Sequence, residues 1–248
     1  MHEMGQSSFN NSGRSIVAIV LAGGSGTRFS DEVNKVYVPL ADRTVIEHSL
    51  DTLDANPSVQ AIQVVVREQD VGLWEEVSAR RAWHKLIGHV VGGGTRHDSE
   101  WAGLQAIAPH FAAETVVLMH DAARPFLTHE LISGLVQATQ PGQGGVPAHS
   151  LRADVLADDP SLTTGNLVTV QTPQAFILGD LLDAYSRALD SQFHAVDTSQ
   201  TIEEFSDVRV MMIPSDPRNI KITRKADLDT AQDLLLEFAN GQWLVDHP

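Results

Sequence analysis

Short, continuously apolar runs alternate with amphipathic stretches along almost the whole chain, and few folds accommodate that order. Residues 15–21 (SIVAIVL), 61–66 (AIQVVV), 86–91, 115–119 (TVVLM) and 208–213 read as strands. Between them, 44–53, 71–83, 96–108, 130–139, 181–189 and 226–238 carry helical spacing. In the last of these, Leu228, Ala231, Leu235 and Phe238 fall on one helical face. A strand that is apolar on both alternating faces must be covered on both sides, and strands separated by helices run parallel through crossovers. The expected fold is α/β: a doubly wound, Rossmann-like, mostly parallel sheet.

One segment breaks the alternation. Residues 141–172 are rich in Gly, Asp and Thr, with weak strand signals at 152–156 and 167–170 flanking Asp158-Asp159-Pro160. This reads as a β-hairpin excursion from the main sheet, either a substrate lid or an oligomerisation arm. Residues 1–14 are polar, without an apolar core, and read as a disordered extension, which leaves 15–248 as a single domain.

Composition narrows the function. With 32 acidic against 17 basic residues the formal net charge is −15, a surface that repels nucleic acid and anionic lipid. The absence of cysteine removes disulfides, thiolate zinc sites and cysteine nucleophiles, and a cytoplasmic location is expected. No apolar run approaches the roughly 18–20 residues of a membrane span. In so acidic a chain the positions of the few cations carry information.

Four clusters follow strand or strand-end signals. The first strand runs into Leu21-Ala22-Gly23-Gly24-Ser25-Gly26-Thr27-Arg28, with Lys35 beyond it. Glycines there let backbone N–H groups cradle phosphate oxygens, although a tight strand-to-helix turn would use the same residues. It is not a Walker loop, since no Gly-Lys-Ser/Thr follows. As a dinucleotide fingerprint it fails too, because the third glycine would fall at Phe29. The second cluster is Gly92-Gly93-Gly94-Thr95-Arg96-His97-Asp98-Ser99, a small polar slot or a helix cap. The third is His120-Asp121-Ala122-Ala123-Arg124-Pro125 at a strand's carboxyl end. A carboxylate there suits Mg²⁺ held jointly with substrate phosphates, or a simple turn. The fourth, Asn219-Ile220-Lys221-Ile222-Thr223, places one lysine between isoleucines, either snorkelling or aimed into a cleft. These residues alone leave open a nucleotidyltransferase, a nucleotide-binding module without turnover, and a nicotinamide-dependent oxidoreductase.

In this order the clusters resemble the sugar-alcohol-phosphate cytidylyltransferases. The wording LAGGSGTR with Lys35, GGxxRxxS at 92–99, HDAARPF at 120–126, TPQ at 172–174 and NIKIT at 219–223 carries the resemblance over about 16–238. It is nearest the branch acting on 2-C-methyl-D-erythritol 4-phosphate in isoprenoid precursor synthesis, with the ribitol-5-phosphate branch as its sister. The resemblance implies CMP transfer from CTP to a polyol phosphate with release of pyrophosphate. It implies that Arg28, Lys35 and Lys221 stabilise charge on the phosphates. It puts Ala22, Gly23, Gly24, Gly26, Gly93, Arg96 and Ser99 around the nucleotide. Asp121 would bind Mg²⁺, with Arg124 and Thr172 beside the acceptor. It also implies that the excursion is a dimerisation arm reaching the neighbouring subunit's site in a homodimer.

The acceptor half departs from that family's pattern. Where the family carries Asp-Thr in the arm, this chain reads Ala153-Asp154. Its arginine eight residues before the Thr of TPQ is Thr164, and a later Thr-Asp reads Val196-Asp197. Asp154, Thr164 and Asp197 are therefore the candidate acceptor-side positions. Loss of a bidentate arginine weakens phosphate binding, so the departures argue for an altered acceptor, with 2-C-methyl-D-erythritol 4-phosphate kept as the first candidate and ribitol 5-phosphate as the second.

Overall fold

The computed structural model describes residues 13–23, 34–150, 167–189, 191, 193 and 195–239. Gly24, Gly26, Arg28, Asp154 and Thr164 lie outside the described residues, as do the extension up to residue 12 and the weak strand signal at 152–156.

The elements in chain order are β1 (Ile16–Leu21), β2 (Pro39–Leu40), β3 (Arg43–Thr44), α1 (Val45–Ala55), β4 (Ala61–Val66), α2 (Val71–Arg80), β5 (Leu86–Val91), α3 (Arg96–Ile107) and β6 (Val116–Asp121). They continue with α4 (His129–Ala138), β7 (Gln143–Ser150), β8 (Val168–Val170), β9 (Gln174–Ile177), α5 (Leu178–Ala188), α6 (Thr198–Phe205), β10 (Arg209–Pro214) and α7 (Lys225–Ala239). The main sheet runs β10-β7-β9-β6-β1-β4-β5, with β8 paired to β7. β1 is parallel to β4 and β6, β4 to β5, and β7 to β10. β9 is antiparallel to both β6 and β7. The sheet is therefore mixed but mostly parallel, as the sequence pattern requires.

β1 shows why. Ile16, Ala18 and Val20 enter one core with Ile46, Leu50 and Leu53 of α1, Trp74 of α2 and Ile132 and Leu135 of α4. Val17, Ile19 and Leu21 enter a second core with Leu104 and Ile107 of α3, Leu181 and Tyr185 of α5 and Ile202 of α6. Burying each large side chain contributes about 1.5–3 kcal/mol, so helices cover both faces. Helix α7 packs separately: Ala231 and Leu234 join Leu40, Val45, Phe126 and Ile222, and Phe238 stacks on Phe126 at 5.6 Å.

Two corrections follow. The segment expected to leave the sheet at Pro141 instead contributes β7, an interior strand held by β9 and β10. The antiparallel pairing of Ala148, His149 and Ser150 with Val170, Thr169 and Val168 starts a hairpin only at the far end of β7. Strand β9 and helix α6 were also not expected.

The chain runs β1-β4-β5 in one direction and then returns to β6 on the other side of β1. That reversal puts the carboxyl ends of β1, β4, β5 and β6 at a topological switch point, where open α/β sheets form their ligand crevices.

Candidate active site

A cleft of about 880 Å³ opens there, within the size range of small-molecule sites. It is lined by Leu21 ending β1 and Gly23 beyond it, Arg67 after β4, Gly92 to Arg96 and Ser99 after β5, Asp121 ending β6, and Lys35 and Lys221. Among the described residues its cations are Lys35, Arg67, Arg96 and Lys221, against Glu68 and Asp121 as carboxylates. A net positive cleft in a chain of charge −15 is the local field that a polyanionic ligand needs.

The glycine segment is stapled at both ends. The Ala22 amide donates to the Val65 carbonyl at 2.8 Å, continuing the β1–β4 ladder. At the other end Asn34 Nδ2 donates to the Ala22 carbonyl and to Asp70 Oδ2, each at 2.8 Å. Arg67 grips the same Asp70 carboxylate through Nε and Nη2. Lys35 follows Asn34 in a single 3-10 turn and is only 8% exposed, so its stem is packed where it lines the cleft. None of Asn34, Arg67 and Asp70 was expected from sequence.

The second glycine cluster is shaped by the start of α3. Thr95 caps the helix: its hydroxyl accepts from the Asp98 amide at 3.1 Å, and Asp98 Oδ2 accepts from the Thr95 amide at 3.0 Å. The Ser99 hydroxyl donates to the Thr95 carbonyl at 2.9 Å. Gly93 lies so close to this box that an added Cβ would collide with the Asp98 side chain. The capping geometry, rather than chain flexibility, demands glycine there.

Asp121 is the electrostatic centre. It is 5% exposed, and both carboxylate oxygens are engaged: Oδ1 by Arg96 Nη1 and Oδ2 by Lys221 Nζ at 2.6 Å. Burial alone would raise its pKa, but Arg96, Lys221 and Arg124 together hold the carboxyl far below the usual carboxylate range. Burial works against the charge on Arg96, and Asp121 together with Glu100 keeps it protonated. Lys221 is delivered by its neighbour Ile222, which is fully buried and whose amide donates to the Ala123 carbonyl at 2.9 Å.

Below Asp121 lies a buried relay with one consistent direction. The Asp121 amide donates to Thr172 Oγ1 at 3.0 Å, and Thr172 Oγ1 stands 3.5 Å from His120 Nδ1. His120 Nε2 lies 3.2 Å from Ser49 Oγ, whose hydroxyl donates to the Arg124 carbonyl at 2.9 Å. Burial pushes His120 down to about 4, so it is neutral at pH 7, and an Nε2–H tautomer satisfies every link. Arg124 is buried too: Nη1 donates to the Asn219 carbonyl at 2.8 Å and Nη2 faces the Val170 carbonyl at 3.5 Å. Asn219 Nδ2 donates to Gln171 Oε1 and to the Thr172 carbonyl, each at 3.0 Å. The motifs around 120, 172 and 219 are thus one knot beneath the cleft.

The structure brings Gly23, Lys35, Gly93, Arg96, Ser99, Asp121 and Lys221 together at the cleft wall. Ala22 lies buried behind it, and Arg124 and Thr172 belong to the knot. Asp197 sits elsewhere, as the cap of α6, accepting from the Gln200 amide at 3.0 Å and from the Ser199 hydroxyl. Among the described residues no cluster of three or more His, Asp or Glu side chains forms a ready-made metal site.

Comparison with known proteins agrees with this geometry. The family model described as IspD, 2-C-methyl-D-erythritol 4-phosphate cytidylyltransferase, matches residues 16–237. The chain is 39% identical over 232 residues to the enzyme of that name from Syntrophotalea carbinolica, covering 89% of this chain and 96% of the relative. It is 36% identical over 227 residues to that from Hahella chejuensis, covering 88% and 91%. Among solved structures, 4-diphosphocytidyl-2C-methyl-D-erythritol synthase from Anaerococcus prevotii superposes with a TM-score of 0.74 at 27% identity, covering 90% of this chain and 97% of that one. The Francisella tularensis 2-C-methyl-D-erythritol 4-phosphate cytidylyltransferase gives 0.72 at 26%, covering 88% and 98%. With the match running through both glycine clusters, Asp121 and Lys221, the chain belongs to the 2-C-methyl-D-erythritol 4-phosphate cytidylyltransferase family.

Proposed function

We propose that this chain transfers the cytidylyl group of CTP to 2-C-methyl-D-erythritol 4-phosphate, in isoprenoid precursor synthesis. The observation that carries the reading is the convergence of Lys35, Arg96 and Lys221 around Asp121 at the sheet's switch point, in a chain matched by the family over residues 16–237.

An acceptor phosphate oxygen attacks the α-phosphorus of CTP in line. The new P–O bond forms as the bond to the α–β bridging oxygen breaks, and that oxygen leaves with pyrophosphate. Negative charge grows on the equatorial oxygens and on the leaving group, so placed cations stabilise it and no protein nucleophile is needed. Lys35 and Lys221, with Arg28, take this role in the proposal, while Gly23, Gly24, Gly26, Gly93 and Ser99 let backbone and small side chains approach the nucleotide.

Mg²⁺ fits the donor set in one way. Asp121 is held ionised between Arg96 and Lys221, and Mg²⁺ is commonly held by one carboxylate together with substrate phosphates. When bound, the ion would neutralise phosphate charge. Asp121 would hold it, and Lys221 would be freed from the carboxylate for the triphosphate.

On the acceptor side, Arg124 Nη2 faces the Val170 carbonyl of β8, which pairs with β7 as the hairpin begins, and Asp154 and Thr164 belong to the sequence that joins these two strands. In the proposal this hairpin completes the site of a second copy in a homodimer. Asp197 contributes through the start of α6. The enzyme is taken to work in the cytoplasm; no described helix is long and apolar enough to cross a membrane.

The test is pyrophosphate release from CTP and Mg²⁺ with 2-C-methyl-D-erythritol 4-phosphate, ribitol 5-phosphate and no acceptor. Release with the first alone supports the proposal. Release with ribitol 5-phosphate alone, or with neither while the protein is folded, overturns it.

A further inference from the structure

Glu100 is fully buried and lines no part of the cleft, yet it is one side chain away from it. Enclosing a carboxylate is costly unless donors converge on it. Here the Tyr185 hydroxyl of α5 donates to Oε2 at 2.6 Å, and the Thr198 hydroxyl at the start of α6 donates to Oε1 at 2.7 Å. The same Oε1 faces Arg96 Nε at 3.1 Å, one helical turn back along α3. Arg96 thus lies between two carboxylates, hydrogen-bonded to Asp121 in front and ion-paired, without a hydrogen bond, to Glu100 behind. Its side chain is 21% exposed. Lys221 holds Asp121 from the other side with a 38% exposed side chain and reaches no second carboxylate within salt-bridge distance among the described residues.

We propose that Glu100 is a positioning residue for nucleotide binding. It locks Arg96 onto Asp121 as the fixed cation of the site, and so leaves Lys221 as the cation that passes from Asp121 to the ligand's phosphates. The inference rests on the cytidylyl-transfer reading for its ligand. The alternative is that Glu100 only ties α3 to α5 and α6. Such a tie would act on stability without regard to Arg96.

A double-mutant cycle separates the two. Kinetics with CTP and 2-C-methyl-D-erythritol 4-phosphate are measured for wild type, E100Q, R96K and E100Q/R96K. E100Q is expected to lower kcat/KM for CTP by roughly 10- to 100-fold, carried by a higher KM for CTP, with the KM for the acceptor unchanged. The double variant is expected within about twofold of R96K, because Glu100 has nothing left to position. Multiplicative losses, or an unchanged KM for CTP in E100Q, overturn the proposal. Should E100Q fail to fold, T198V takes its place: it withdraws a donor from the Oε1 that faces Arg96 and removes no charge. It is expected to show the same non-additivity with R96K, and independent effects overturn the proposal. Should wild type release no pyrophosphate, the functional reading fails by itself, and the same cycle read as CTP affinity by calorimetry still decides the role of Glu100.

Discussion

Replacing Asp121 by Asn removes the one charge that reconciles Arg96 with Lys221. The side chain is 8% exposed, with a cation on each oxygen. Breaking a buried ion pair from one side costs about 3–5 kcal/mol. The upper part of that range does not apply here. Lys221 is 38% exposed and can turn to water, and Arg96 retains Glu100. About 2–3 kcal/mol remains. For a chain of this length each kcal/mol moves the melting midpoint by about 2–4 °C, so D121N should melt about 4–12 °C below wild type at pH 7. The pH dependence has a definite sign. The folded-state pKa of Asp121 lies far below its value of about 3.9 in the unfolded chain. Its contribution is therefore complete above that value and is lost as pH falls toward the folded pKa. Thermal melts of both proteins from pH 7 to pH 3 should show a constant gap down to about pH 5 that narrows below about 3.9. Equal midpoints at pH 7, or a gap that does not narrow in acid, would refute the charge argument.

Other expectations follow from the same geometry. Lys35→Ala, Lys221→Ala and Arg28→Ala should each fold normally and lose on the order of 100- to 1,000-fold in kcat; unchanged turnover would remove them from charge stabilisation. Gly93→Ala should displace the Thr95–Asp98 cap, cost about 1–3 kcal/mol in thermal denaturation and raise the KM for CTP, and an unaffected variant would mean that the loop yields freely. His120, neutral because burial holds it down to about 4, should show no imidazole titration by NMR between pH 5 and 8. Its depressed pKa adds stability that is complete above its unfolded value of about 6.5 and lost as pH falls through about 4. Sedimentation at micromolar concentration should give a dimer, and a monomer would count against an arm shared between subunits.

Strands β1, β4, β5, β6 and β10 were legible because each is a compact, mostly apolar run in a chain where such runs alternate with helical spacing. Strand β7 was not, since its sequence QGGVPAHS carries two glycines and a proline where a strand pattern calls for β-branched residues. The reason is tertiary: Phe176 of β9 packs against Gly144 so closely that a Cβ there would overlap its ring. A side chain from the next strand occupies the space, and nothing local announces it. Asp197 shows the same limit in the site. As one acid after a valine it reads as an acceptor carboxylate, and its place as the cap of α6 was not legible, because α6 itself was not expected. Gly23, Lys35, Arg96, Asp121 and Lys221 could be found because each sits beside a strand end with a strong motif. Asn34, Arg67 and Asp70 could not, because the staple joins residues 36 apart by hydrogen bonds between side chains. Glu100 is hidden further: its donors Tyr185 and Thr198 lie 85 and 98 residues away.

The central claim is that the cleft around Asp121 moves a cytidylyl group rather than merely holding a nucleotide. Phosphorus NMR of the protein with CTP, Mg²⁺ and 2-C-methyl-D-erythritol 4-phosphate tests it most directly. The account predicts loss of the triphosphate signals, with one pyrophosphate appearing for each new diphosphate-linked product, and no such change in the Lys35→Ala variant. Intact CTP that still raises the melting temperature would contradict it, since binding would then occur without transfer.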